Sequence, residues 1–170
     1  MARHIALLRA VNVGGTGKLP MAALAAMCEA EGYTAVRTLL ASGNVVFDSD
    51  AGPARVKAAL ERRLLAYAGK PVVVMVRSPV QMAAVLAANP FPDAPGNRVL
   101  AIFLDGPPPA DALEAVRHLG DERLALGRRE IYVAYGDGMA GSKLVVPAAS
   151  AGTARNMNTV ARLVALAGGR

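Results

Sequence analysis

An apolar strand that runs into a glycine-rich turn and leaves through a proline constrains this chain more than any other stretch. The stretch is Leu7-Leu8-Arg9-Ala10-Val11-Asn12-Val13-Gly14-Gly15-Thr16-Gly17-Lys18-Leu19-Pro20-Met21. Residues 3–11 are apolar on both faces except at Arg3, His4 and Arg9, the pattern of a central strand. The break at Gly14 to Gly17 reads as a turn, and Pro20 suits the first turn of a helix, where its missing N–H costs nothing. That helix is expected to reach about Glu31, with Met21, Leu24, Ala25 and Cys28 on one face and Gly32 as its stop.

The chain downstream supplies partners for this unit. Strands are expected at 34–41 and 44–48, joined at Ser42-Gly43, where a tight hairpin needs a positive φ. A helix over 53–68 puts Val56, Leu60 and Leu64 on one side, and residues 71–76 are the next strand. The order β-α-β-β-α-β is the ferredoxin-like split arrangement. A short helix at 79–88 leads to Asn89-Pro90-Phe91-Pro92-Asp93-Ala94-Pro95-Gly96, a connector by its three prolines. The pattern then partly repeats: a strand at 97–104, a helix at 110–119, a hairpin of 122–126 and 130–135, a glycine-rich loop, and a helix at 154–167. No closing strand is read before that last helix. The expected architecture is therefore α+β, with two ferredoxin-like (βαββαβ) halves, the second truncated and closed by a C-terminal helix. The expected divisions are an N-terminal subdomain at 1–78, a connector at 79–96 and a C-terminal subdomain at 97–170.

Composition excludes several classes of function. One cysteine rules out an internal disulfide and a cysteine-rich metal site. Cys28 falls in an apolar helical pattern and reads as a buried, inert thiol. No metal-ligand spacing and no nucleophile–base–acid set is present. The first residues lack a signal peptide, and no apolar run approaches the roughly 20 residues that cross a bilayer. A cytoplasmic protein is expected. The formal charge of +6 invites a nucleic-acid reading, but aromatics make up only 4% of the chain and the arginines are scattered. A base-stacking surface or a polyanion track needs more than that.

Two clusters of hydrogen-bond donors remain. In the ferredoxin-like order the first and third strands are antiparallel neighbours. Arg9, Asn12, Gly14, Gly15, Lys18, Ser42 and Asn44 are thereby expected at one end of the sheet, with Arg37 a more distant member. Backbone N–H groups and a helix start beside a lysine suit an anion. The turn is neither a Walker A loop, since no serine or threonine follows Lys18, nor G-x-G-x-x-G. A compact turn is the plainer alternative.

The second cluster is Arg155, Asn156 and Asn158, with Thr153 as the N-cap of the last helix and Lys143 on the preceding loop. That loop is read as a lid hinged on glycines. Arg155 in a first helical turn would oppose the helix dipole, a cost tolerated for a bound anion or for a salt bridge to Asp137 or Glu130. Taken together, the clusters point to a small phosphorylated or nucleotide-like anion in a cleft between the two halves. The rival classes are a single-stranded RNA-binding module and a non-catalytic interaction or assembly module. The residues assign no reaction, cofactor or oligomeric state.

At these motifs the chain resembles the bacterial family known as domain of unknown function 1697. The matching stretches are Leu7 to Gly15 with Lys18 and Met21, Ser42 to Phe47, Asn89 to Phe91, Gly141 to Leu144 and Arg155 to Val160. The family's usual aromatic in the last motif is Met157 here, and Ala10 stands where a glycine is common. The resemblance implies an α+β fold with ferredoxin-like halves and carries no activity, substrate or catalytic residue.

Overall fold

The computed structural model describes residues 1–13, 18–137 and 139–168. It divides into two compact units, one of Met1–Met82 with Leu163–Arg170 and one of Ala83–Arg162.

The first unit contains β1 (Ala2–Leu8), α1 (Met21–Ala30), β2 (Thr34–Leu39), β3 (Asn44–Ser49), α2 (Pro53–Ala68) and β4 (Val74–Arg77). Its sheet has the order β2-β3-β1-β4, all antiparallel, which is the ferredoxin-like order expected. Residues 4–8 of β1 are all buried, as a central strand requires. One face packs on the two helices: Ala6, Leu8, Val45, Phe47, Val74 and Val76 share a core with residues of α1 and α2. Val56, Leu60 and Leu64 of α2 lie in that core, each contributing about 1.5–3 kcal/mol by burial. Cys28 is also in it, and burial pushes its thiol up to about 12.

β1 ends three residues before the expected boundary. Ala10 and Asn12 have φ of 56° and 55°, and left-handed residues cannot continue a strand. Leu40 (φ 61°) likewise ends β2 early, and a bulge at Ala35 (φ 50°) interrupts its pairing with β3. Gly43 closes the β2–β3 turn at φ 91°, where a Cβ would lie 2.7 Å from Val11 Cγ2 and 2.9 Å from the Leu8 Cβ. Both the backbone angle and the space demand glycine there.

The second unit holds β5 (Val99–Phe103), β6 (Arg123–Leu126), β7 (Glu130–Ala134) and β8 (Thr153–Asn156) in the order β6-β7-β5-β8, the same topology. Two expectations are corrected here. The closing strand is present: β8 pairs with β5, and the last helix, α4 (Met157–Gly168), begins only after it. The helix expected at 110–119 is reduced to a single 3-10 turn at Ala112–Ala115. Its leucines find no core, with Leu113 36% and Leu119 57% exposed and only the small Ala112 buried, and Arg117 instead pairs with Val145 in an antiparallel bridge. A helix that buries so little gains too little to persist. The truncation of the second half therefore lies in its crossovers and not in its sheet.

The two units share one device. β4 and β8 are the corresponding edge strands, and each carries a buried arginine that bonds the carbonyl before it. Arg77 donates to Val76 O (3.1 Å) and Arg155 to Ala154 O (2.8 Å). Both sit opposite equivalent residues of the central strand, Ile5 and Ala101. A capping residue and a helix follow in each case. Ser78 and Gln81 cap α3 (Pro79–Ala87) reciprocally, and Asn156 Oδ1 accepts from Thr159 N at 2.9 Å in α4. The outward edge of β4 is further occupied from α2, where Glu61 accepts from Val74 N (3.0 Å) and Lys57 donates to Val74 O (2.6 Å). Such side-chain cover keeps an edge strand from pairing with another chain.

Two measurements follow from this geometry. Ala10→Gly relieves the left-handed alanine and is expected to raise stability by about 0.5–1 kcal/mol, read from the urea midpoint at unchanged slope. His4 is buried, beside Ala51 O at 3.0 Å, and burial lowers its pKa below the ordinary value despite opposing contributions from that carbonyl and Asp48. The unfolded chain then takes up this proton first, so stability is full above the unfolded pKa of about 6.5 and falls as pH drops through the folded one. Denaturant midpoints between pH 7.5 and 5 should decline less steeply for His4→Gln than for the native chain.

Candidate functional site

The end of β1 brings Asn12 beside Ser42 and Asn44. Leu8 N donates to Gly43 O at 2.9 Å, and Leu7 sits opposite Asn44, so the β2–β3 turn lies against residues 8–12. Gly14 and Gly15 lie outside the described residues. Arg37 is exposed on β2 opposite Val46, with β3 between it and β1.

The amide side chains in this cluster hold the backbone. Asn12 Nδ2 donates to Leu19 O (2.9 Å) and Ala41 O (2.8 Å), while its Oδ1 accepts from Leu19 N (2.6 Å). One carboxamide thus ties the residue after the glycine-rich segment to the β2–β3 turn, filling carbonyl and N–H groups that no strand partner reaches. Asn44 is fully buried, and its Nδ2 donates to Leu39 O (2.7 Å) and Ser42 Oγ (2.9 Å) across the same turn. Arg9 extends the β1–β4 ladder through its N–H to Val73 O at 2.9 Å.

Lys18 is differently placed. It is exposed and lines a cavity of about 230 Å³ together with Ala10, Val11, Tyr67, Lys70 and Val72. No carboxylate lines this cavity, and neither Lys18 nor Lys70 makes an ion pair among the described residues. Lys70 and Tyr67 were not singled out from sequence. The readable signal was the basic residue that follows the helix stop, in Gly69-Lys70-Pro71.

The second cluster differs most from expectation. Arg155 lies in β8 and not in a first helical turn, so it does not oppose the α4 dipole. It is 6% exposed, burial brings its pKa down to about 10, and it donates to Thr153 Oγ1 at 2.7 Å. Thr153 is a strand residue, and the cap of α4 is Asn156. Asp137, one of the two acids considered for Arg155, pairs with Arg98. Asn158 is exposed beside Gly96, where its carboxamide occupies the space a Cβ would need.

The loop read as a lid is packed structure over its described part. Ser142 donates to Glu122 at 2.8 Å, while Leu144 and Val146 cover a core with Ile131 and Val133. Lys143, between them, is exposed.

Phe47, the one aromatic of the third strand, is fully buried and stacked on Tyr33 with centroids 4.5 Å apart. It offers no face for a base. Among the described residues no group of three His, Cys, Asp or Glu side chains is arranged to hold a metal, and no helix is long and apolar enough to cross a membrane.

A comparison with curated proteins gives no match. Among solved structures, the conserved bacterial protein SP0830 from Streptococcus pneumoniae superposes with a TM-score of 0.79 at 23% identity, over 98% of each chain. At that identity the likeness concerns the fold. The family model for the protein of unknown function DUF1697 matches residues 1–132, and the chain therefore belongs to the DUF1697 family.

Proposed function

We propose that this protein binds a small phosphorylated anion in the cavity between Lys18 and Lys70 at the end of β1. The observation that carries this reading is a concave site with two lysines and no carboxylate in its lining. The cavity's 230 Å³ falls below the roughly 300–1,000 Å³ typical of drug-sized ligands, which favours inorganic phosphate or a short phosphate ester over a whole nucleotide. Val11, Leu19, Leu64 and Val72 form an apolar back wall that would exclude water from one side of the ligand.

The end of α2 opposes an anion here. Tyr67 and Ala68 belong to the last turn of α2, where the helix dipole repels an anion by about 0.3–1 kcal/mol. An ammonium about 4 Å from a charged oxygen contributes about 1 kcal/mol even in water. Two of them outweigh the helix end. The site draws on the first unit alone; Lys143, Arg155, Asn156 and Asn158 are not required. Residence in the cytoplasm is part of the same proposal and rests on the unpaired, buried Cys28, which suits a reducing compartment.

Thermal unfolding in phosphate, against chloride at matched ionic strength, tests the reading. Phosphate at about ten times its Kd stabilises by about 1.4 kcal/mol, a rise of about 3 °C for a chain of this size. Lys18→Gln with Lys70→Gln should weaken phosphate binding by about fivefold or more and remove most of that rise. An equal rise in the double variant, or none in the native chain, refutes it.

A further inference from the structure

A second and larger cavity, of about 560 Å³, lies within the first unit and falls inside the range of small-molecule sites. Its lining comes from the end of α1, the end of β3 and one side of α2, including Glu31, Tyr33, Asp50, Ala51, Arg55 and Arg62. The β3 residues here sit opposite the first residues of β1, so this cavity is at the other end of the sheet from Lys18.

Its charges do not cancel. Glu31 is held by Arg63 and, at 3.6 Å, by Arg62; Asp50 is held by the Met1 amine at 3.3 Å. Glu31, the less exposed acid, thus has two guanidinium groups on one carboxylate, and Asp50 stands in solvent, where its charge is screened. Arg55 is exposed and has no ion pair among the described residues. Arg62 is 69% exposed on a long contact that Arg63 duplicates, so its release to a ligand costs little.

Spacing gives the ligand's class. Arg55 and Arg62 are seven residues apart, on one face of α2 and about 10 Å apart along its axis. Ala58 and Ala59 lie between them in the cavity wall, too small to fill the gap. Tyr33 lines the same cavity as Arg55 and Arg62, and both guanidinium groups are near enough to act electrostatically on its phenol. Burial and the Glu31 charge keep that phenol protonated, so it remains a hydrogen-bond donor.

We propose that this cavity binds a small organic dianion whose two acid groups lie at opposite ends of a short chain, one on Arg55 and one on Arg62. Guanidinium forks bind carboxylate and phosphate bidentately, and the alanines leave room for the chain that joins the two acids. The site is separate from the lysine cavity and does not depend on it.

Amide chemical shifts of the full chain, titrated with glutarate or acetate at constant ionic strength, test the proposal. Glutarate should move the amides of Gly32, Ala51 and Ala58 and bind at least tenfold more tightly than acetate. Arg55→Gln should weaken glutarate about tenfold, Arg55→Lys should weaken it less, and the Lys18→Gln, Lys70→Gln double variant should leave it unchanged. Acetate binding as tightly as glutarate, an unchanged response in Arg55→Gln, or shifts confined to Ala10 and Ala68 would overturn it. Arg55 is exposed, so its variants test binding and not folding, and the lysine variant separates failure here from failure of the phosphate reading.

Discussion

The first unit depends on β1 being bonded on both edges and buried along most of its length. Its register with β3 runs from Ala2↔Ser49 to Leu7↔Asn44, and with β4 from Ile5↔Arg77 to Leu8↔Val74. A slip of one residue would exchange its two faces, moving Ala6 and Leu8 out of the helix-facing core. The register also decides which groups meet at each end. At one end it brings the β2–β3 turn to Asn12; at the other it sets Arg3 on Asp48 at 2.9 Å, from where Arg3 also reaches Ala167 O at 2.9 Å. That last bond places a cation at the carbonyl end of α4, the favourable end of the helix dipole.

The two halves repeat a design more closely than their residues do. Each sheet has the same order, and in each the edge strand beside the central one, β4 or β8, carries a buried arginine and leads through a helix cap into a helix. In between, the units diverge: α1 and α2 cover the first sheet, whereas the second is covered by the segment carrying Leu144, Val146 and Ala148. α3 begins in the first unit and ends in the second, and α4 begins in the second and ends in the first. Tyr132 shows how an element is held inside its own unit, donating from its buried hydroxyl to Val85 O at 2.9 Å.

The polar residues of the first cluster illustrate why donor chemistry alone does not identify a site. Asn12, Ser42 and Asn44 have the groups a ligand would use, but a chain that turns through left-handed residues leaves carbonyl and N–H groups that need the same partners. A carboxamide can donate twice and accept, and Asn12 does all three. Lysine ammonium groups in the cavity wall are under no such demand. They are strongly hydrated and stay at the surface, and Lys18 and Lys70 are accordingly exposed while the amides bond the backbone.

The sequence by itself determined the first sheet, α1 and α2, the β6–β7 hairpin and the buried state of Cys28. Those elements are apolar runs or stripes, most of them bounded by glycine or proline, so local preference and burial agree. Tertiary structure decided the elements where they disagree. Thr153-Ala154-Arg155-Asn156 has too few apolar residues to announce a strand, and it becomes one because β5 offers an unpaired edge. Residues 110–119 have helical spacing but no surface on which to bury it, and the bridge between Arg117 and Val145 takes their place. Periodicity records which side of an element is apolar; only the folded chain supplies the partner that makes burying that side worthwhile.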